Sequence, residues 1–114
     1  VTVDTLIVDT VLSNTSTATT TSTAQIALAS FPASSYASGE IMVQATQGSL
    51  RQITKLLVIH DGTMAYATEL GTVTTGASLF TADVDFNAGN VRLLITPKSA
   101  TSTSFKAFYT LIGV

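Results

Sequence analysis

The sequence predicts an all-β protein, a single antiparallel β-sandwich or jelly roll of about eight or nine short strands with an extended N-terminal arm. Three observations predict it. Short apolar runs recur at roughly ten-residue spacing along the 114 residues. Turn formers separate them, above all Asp61-Gly62 and Asn87-Ala88-Gly89-Asn90. Asp-Gly between two apolar runs suits the positive φ of a type I′ hairpin turn, so Asp61, Gly62, Asn87 and Gly89 are read as hairpin builders. No stretch reads as a helix.

The elements follow in order. Val3 to Leu12 reads as one strand, with Val3, Ile7 and Val11 on one face and Asp9 falling on the same face. Ser13 to Ala24 is a Ser/Thr/Ala tract with two readings, a flexible linker or an exposed Thr-rich edge strand. The division expected is therefore an extended arm and Thr/Ser-rich segment over 1–24 and a sandwich body over 25–114. Gln25 to Phe31 alternates as a strand and stops at Pro32, which cannot donate to a ladder. Ala33 to Gly39 is a loop, and Glu40 to Thr46 turns Ile41, Val43 and Ala45 inward. After Gln47-Gly48-Ser49, Arg51 to His60 is apolar on both faces near its end, where Leu56, Leu57, Val58 and Ile59 stand together. Such a strand sits centrally or meets a second subunit. Thr63 to Leu70 pairs back, and Gly71 to Gly76 connects onward. Phe80, Ala82, Val84 and Phe86 alternate with Thr81, Asp83 and Asp85, giving one dry and one wet face. Asn90 to Thr96 ends at Pro97. Thr103 to Val114 closes the chain, with Phe105, Ala107, Tyr109 and Leu111 on one side and Phe108 and Ile112 on the other.

Composition bounds the function. Charged residues make up 11% of the chain, while the apolar share is an ordinary 46%. About three residues in ten are Ser or Thr, so the surface is covered with hydroxyls in place of ions. The net charge is −2, and the five cations are scattered. That leaves no basic footprint for nucleic acid and none for an anionic membrane. A surface poor in charge favours packing against other copies, where few ions need desolvation. Absence of Cys excludes disulfide frameworks and thiolate metal sites. Val1 to Leu12 does not read as a signal peptide, because Asp4 and Asp9 interrupt it. A chain starting on Val is expected to be either processed or a segment of something longer.

Few residues suggest chemistry. His60-Asp61 is the single His–acid neighbour pair, and neighbouring strand residues point to opposite faces, so a structural His is expected. Asp83, Asp85 and Asn87 are the one candidate calcium set, but Ala88 and Leu94 stand where an EF-hand needs Gly and Glu. An acidic strand face is the plainer reading. Asn14-Thr15-Ser16 matches a glycosylation acceptor by composition alone. Tyr36, Tyr66, Tyr109, Phe31 and Phe108 are the rings available to a sugar platform, with core packing the better explanation of most. No catalytic residue, cofactor site or phosphate loop is found.

Longer phrases carry a resemblance. Ala27 to Phe31, Lys55 to Thr63 with Ala65 to Val73, then Asp83 to Pro97, then Ser99 to Thr103 resemble a recurrent segment in structural proteins of tailed phages, closest to those of marine cyanophages. The likeness covers residues 25–114 and departs at Leu70, where an aromatic is usual, and at Ala88, where a second Gly is common. The resemblance implies a virion component (head decoration, tail or fibre) without catalytic activity, cofactor or metal. Its implied partners are other copies of itself, a trimer favoured, and other virion proteins, with a glycan-binding adhesin at a fibre tip as the alternative. The assembly arm expected from the sequence is Val3, Leu6, Ile7, Val8, Val11 and Leu12.

Overall fold

A computed structural model describes residues 5–8 and 10–114 of the chain. It is an all-β sandwich. Nine strands are seen among these residues: β1 (Thr5–Val8), β2 (Val11–Thr20), β3 (Ile26–Pro32), β4 (Tyr36–Gln47), β5 (Leu50–His60), β6 (Ala65–Thr74), β7 (Phe80–Asn87), β8 (Asn90–Pro97) and β9 (Thr103–Gly113). Six of them form one sheet in the order β1-β2-β9-β4-β5-β6, and three form the other in the order β3-β8-β7. Every pairing is antiparallel.

The period-2 patterns read in the sequence set the core. Ile41, Val43 and Ala45 of β4 are buried, as are Phe105, Ala107, Tyr109 and Leu111 of β9. Facing them across the sandwich are Phe31 of β3, Phe80 and Val84 of β7, and Val91, Leu93 and Ile95 of β8. Phe80 and Phe105 meet edge to face at 5.5 Å, the arrangement their ring quadrupoles favour. Each fully buried Leu, Ile or Phe contributes about 1.5–3 kcal/mol, so this layer carries the fold. Gly39 of β4 sits opposite Leu111 because a Cβ there would run into the Thr110 carbonyl.

Four details correct the sequence reading. The run Val3 to Leu12 is not one strand, because β1 folds back onto β2 with Val8 opposite Val11 and Ile7 opposite Leu12. Ile7 and Val11 therefore face opposite sides; Val3 and Asp9 lie outside the described residues. The Thr-rich tract is a strand, and it is not an edge: β2 lies between β1 and β9 and pairs with β9 from Val11–Ile112 to Thr20–Thr103. β-Branched Thr tolerates this, since Thr15, Thr17 and Thr19 line the solvent side. The boundary read at 24/25 falls in the β2–β3 connection. Gly71 is not the start of a loop, since β6 continues through it to Thr74 after a bulge at Leu70.

The last correction concerns turns. Asp61-Gly62 was expected to form a two-residue type I′ turn, but only Gly62 has positive φ, at 94°, and the turn is wider. The Asp61 carboxylate closes it, accepting from the Thr63 and Met64 amides at 2.9 and 2.8 Å. This is an Asx-type closure, in which a side chain replaces a backbone acceptor. The two-residue geometry occurs instead between β7 and β8, where Ala88 and Gly89 have φ of 51° and 81° and Asn87 pairs with Asn90.

Candidate functional site

The three-stranded sheet covers one face of the six-stranded sheet, and the other face is left to solvent. That outer face is unusually apolar. Strand register defines its rows. One row runs Val11, Ile112, Ser38, Ile59, Tyr66 across β2, β9, β4, β5 and β6. The next runs Ser13, Thr110, Glu40, Leu57, Thr68, and beyond it Phe108 stands opposite Met42 and Ile53 opposite Val73. Leu57, Ile59, Tyr66, Phe108 and Ile112 are each between 45% and 55% exposed.

Strand spacing and rise give the apolar part of this face an area of roughly 450 Å². That is the size of the largest apolar patch a soluble monomer ordinarily exposes, and such a patch is often functional. The alternation of β5 shows how it arises: Leu56 and Val58 fill the core while Leu57 and Ile59 point away from it. The sequence flagged this two-sided strand, and it also placed Phe108 and Ile112 off the core face. It missed Ile53, Tyr66 and Val73 as members of the same surface. Alternation along β5 puts Ile53 with Leu57 and Ile59, and cross-strand parity would have found Tyr66 and Val73 once the β5–β6 pairing was known.

Between β9, β4, β5 and β6 the face sinks into a depression of about 720 Å³, walled by Leu57, Ile59, Tyr66 and Ile112, with Ser38, Glu40, Thr68 and Thr110 supplying polar groups. Charge is scarce here. Glu40 and Lys55 neutralise one another at 3.2 Å on neighbouring strands. Tyr66 is oriented by its hydroxyl, which donates to Asp61 Oδ2 at 3.4 Å. The same Asp61 is held down to about 2 by the Met64 and Thr63 amides and the Thr63 hydroxyl. The turn carboxylate thus shapes one wall of the depression.

His60 does not reach this face. Its Nδ1 accepts from the Gly62 amide at 3.0 Å, which places the ring proton on Nε2, and Nε2 donates to the Tyr36 carbonyl at 2.7 Å. The ring lies against Phe86 and Phe31 at centroid distances of 5.8 and 6.5 Å. Both nitrogens are committed to backbone, so His60 closes one end of the sandwich and has no lone pair left for a substrate. Asp61, its neighbour, points into its own turn.

On the other sheet, the candidate calcium residues are engaged locally. Asp85 takes a two-point hydrogen bond from the Arg92 guanidinium, the Nε contact being 2.8 Å, and this holds its carboxyl below the usual range. Asp83 accepts from the Val84 amide at 2.8 Å, and Asn87 sits at the β7–β8 turn. Of the aromatic set, Phe31 and Tyr109 are buried and Tyr36 half-buried, while Tyr66 and Phe108 share the outer face. Burial raises the Tyr109 phenol above its ordinary value, and Asn14 offers it a hydrogen bond. Of the arm residues, Ile7 is exposed at the sheet edge and Val11 and Leu12 are half-buried in β2; Leu6 and Val8 take their places in the β1–β2 ladder.

The fold is shared with two solved phage proteins. With the tailspike protein of Acinetobacter phage vB_ApiP_P1 the TM-score is 0.65 and the identity 22%, over 88% of this chain and 22% of that one. With the tailspike protein of Acinetobacter baumannii phage AM24 the TM-score is 0.59 and the identity 8%, over 91% of this chain and 26% of that one. This chain spans about a quarter of the length of either tailspike. No family model matches it, and no curated protein matches it. At these identities, what it shares with the tailspikes is the sandwich fold.

Proposed function

We propose that the chain is a non-enzymatic structural domain of a phage tail or fibre protein, carried in the virion and acting by self-assembly and by docking on other virion proteins. The observation that carries this reading is the uncovered apolar face of the six-stranded sheet. Burying half-exposed Leu57, Ile59, Tyr66, Phe108 and Ile112 against like surfaces gives association free energy at roughly 25 cal/mol per Å² before the costs of docking. The low charge of the face means that few ions lose water in the process. The fold likeness to two tailspikes and the phage-like phrases of the sequence support the same setting, the cyanophage phrases being the finer part of the reading.

A second reading has an observation of its own. Tyr66 stands beside Ser38, Glu40, Thr68 and Thr110 at the depression, and a ring flanked by hydroxyls and a carboxylate suits a sugar. An adhesin would show saturable sugar binding that is lost in Tyr66→Ala. The structural reading is tested by native mass from light scattering across a dilution series. It expects an assembly of several copies, a trimer favoured. A monomer at every concentration would overturn it.

A further inference from the structure

The four outer edges of the sandwich are not alike. Exposed edges invite pairing with foreign strands, and proteins guard them with charge, proline or bulges. The three-stranded sheet is guarded on both sides. β3 carries a bulge between Ala27 and Ala29 and ends on Pro32, and β7 presents Asp83 and Asp85. The six-stranded sheet is guarded less. β1 carries no charge, proline or bulge over Thr5–Val8. β6 is ten residues long and almost wholly exposed, and its single charge, on Glu69, already accepts from Thr72 Oγ1 at 2.8 Å. Its bulge at Leu70 leaves Ala65–Glu69 in regular register with β5.

We propose that the β6 edge of one copy accepts the β1 strand of a second copy, so that the six-stranded sheets join head to tail. Polarity favours the join. Six strands paired antiparallel throughout leave the two edge strands running in opposite directions, so β1 laid on β6 of a neighbour about an axis along the strands continues the antiparallel pattern. Height favours it as well. Ile7, Leu12, Leu111, Gly39, Val58 and Ala67 form one unbroken row across the sheet, which puts β1 level with the regular half of β6. Main-chain hydrogen bonds then supply affinity, as in other strand additions, and the outer apolar faces of the two copies become continuous. The interface is heterologous, so the angle between neighbouring sheets sets the number of copies.

This inference rests on the self-assembly reading, and its test separates the two. The chain contains no Cys, so every disulfide would be engineered. Ile7→Cys is combined in turn with Ala65→Cys, Ala67→Cys and Glu69→Cys, because a join staggered by an even number of residues keeps the faces matched. The two edges of one sheet lie about 24 Å apart at ordinary strand spacing, so no disulfide can form within a copy. Mild oxidation of at least one double variant is expected to give covalently linked copies far in excess of either single variant. Native masses showing assembly, with no pair cross-linking above the single variants, would overturn the edge assignment and leave self-assembly standing. A monomer at all concentrations would overturn both.

Discussion

Gln52 is the most consequential polar side chain in the core, and replacing it makes the sharpest stability prediction. It lies on β5, 3% exposed, on the face that carries Thr54, Leu56 and Val58. Its Oε1 accepts from the Leu79 amide at 2.7 Å, and its Nε2 donates to the Phe80 carbonyl at 3.3 Å and to Thr54 Oγ1 at 3.1 Å. Leu79 and Phe80 are each 2% exposed, so water cannot replace the lost partners. In Gln52→Leu the Leu79 amide is orphaned, at about 1–3 kcal/mol. The Phe80 carbonyl keeps the Ser78 hydroxyl at 3.4 Å and adds a cost at the low end of the same range. The gross cost is about 2–4 kcal/mol; extra apolar burial returns part of it, leaving a net loss of about 1–3 kcal/mol from a stability of order 5–15 kcal/mol. With an unfolding entropy typical of this length, the thermal midpoint falls by about 4–12 °C. The assay is thermal unfolding followed by circular dichroism, with Gln44→Leu on the exposed face of β4 as the matched control, expected to shift little. A Gln52→Leu midpoint within about 2 °C of the parent would refute the reasoning, because the cost of the orphaned Leu79 amide would not have been felt.

Two further predictions concern turns. Ala88 is the one non-glycine residue among those described with positive φ, at 51°, and a Cβ there costs about 1–2 kcal/mol relative to glycine. After the added freedom of the unfolded chain, Ala88→Gly should raise stability by about 0.5–1 kcal/mol; a lower denaturation midpoint would contradict it. Asp61, held at about 2, contributes stability that is fully present above the ordinary carboxylate range and lost as pH falls through 2. Thermal midpoints measured between pH 5 and pH 2 should therefore fall more steeply for the parent than for Asp61→Asn. Equal slopes would show that the turn carboxylate is not what titrates.

Much of the fold was legible because its strands alternate. Phe80, Val84, Phe105 and Leu111 reach the core through a period of two that sequence shows directly. Pairing partners are another matter. Nothing local announces that Val8 turns back onto Val11, since the apolar run is continuous and Asp9-Thr10 is a mild turn signal. Nor does a Thr-rich tract reveal that it will lie beside β9, because that depends on residues about ninety positions away. The Asp61 turn was misjudged for a physical reason: Asp-Gly favours a type I′ turn only when the Asp side chain does not take over the hydrogen bonding. Gln52 escaped notice because a polar residue in a strand is read as solvent-facing until its neighbours in space are known. The apolar outer face was half legible. Leu57 and Ile59, with Ile53 on the same parity, betrayed it within one strand, while Tyr66 and Val73 joined it only through register.

The measurement closest to the central claim is the native mass of Leu57→Lys beside that of the parent chain, by light scattering at matched concentration. Leu57 lies in the middle of the outer face, and the lysine would stand opposite Glu40, so the single copy loses little. If the apolar face is an assembly surface, the parent has the mass of several copies, and Leu57→Lys has a lower mass at the same concentration with an unchanged circular dichroism spectrum. A Leu57→Lys protein of the same mass as the parent would contradict the claim.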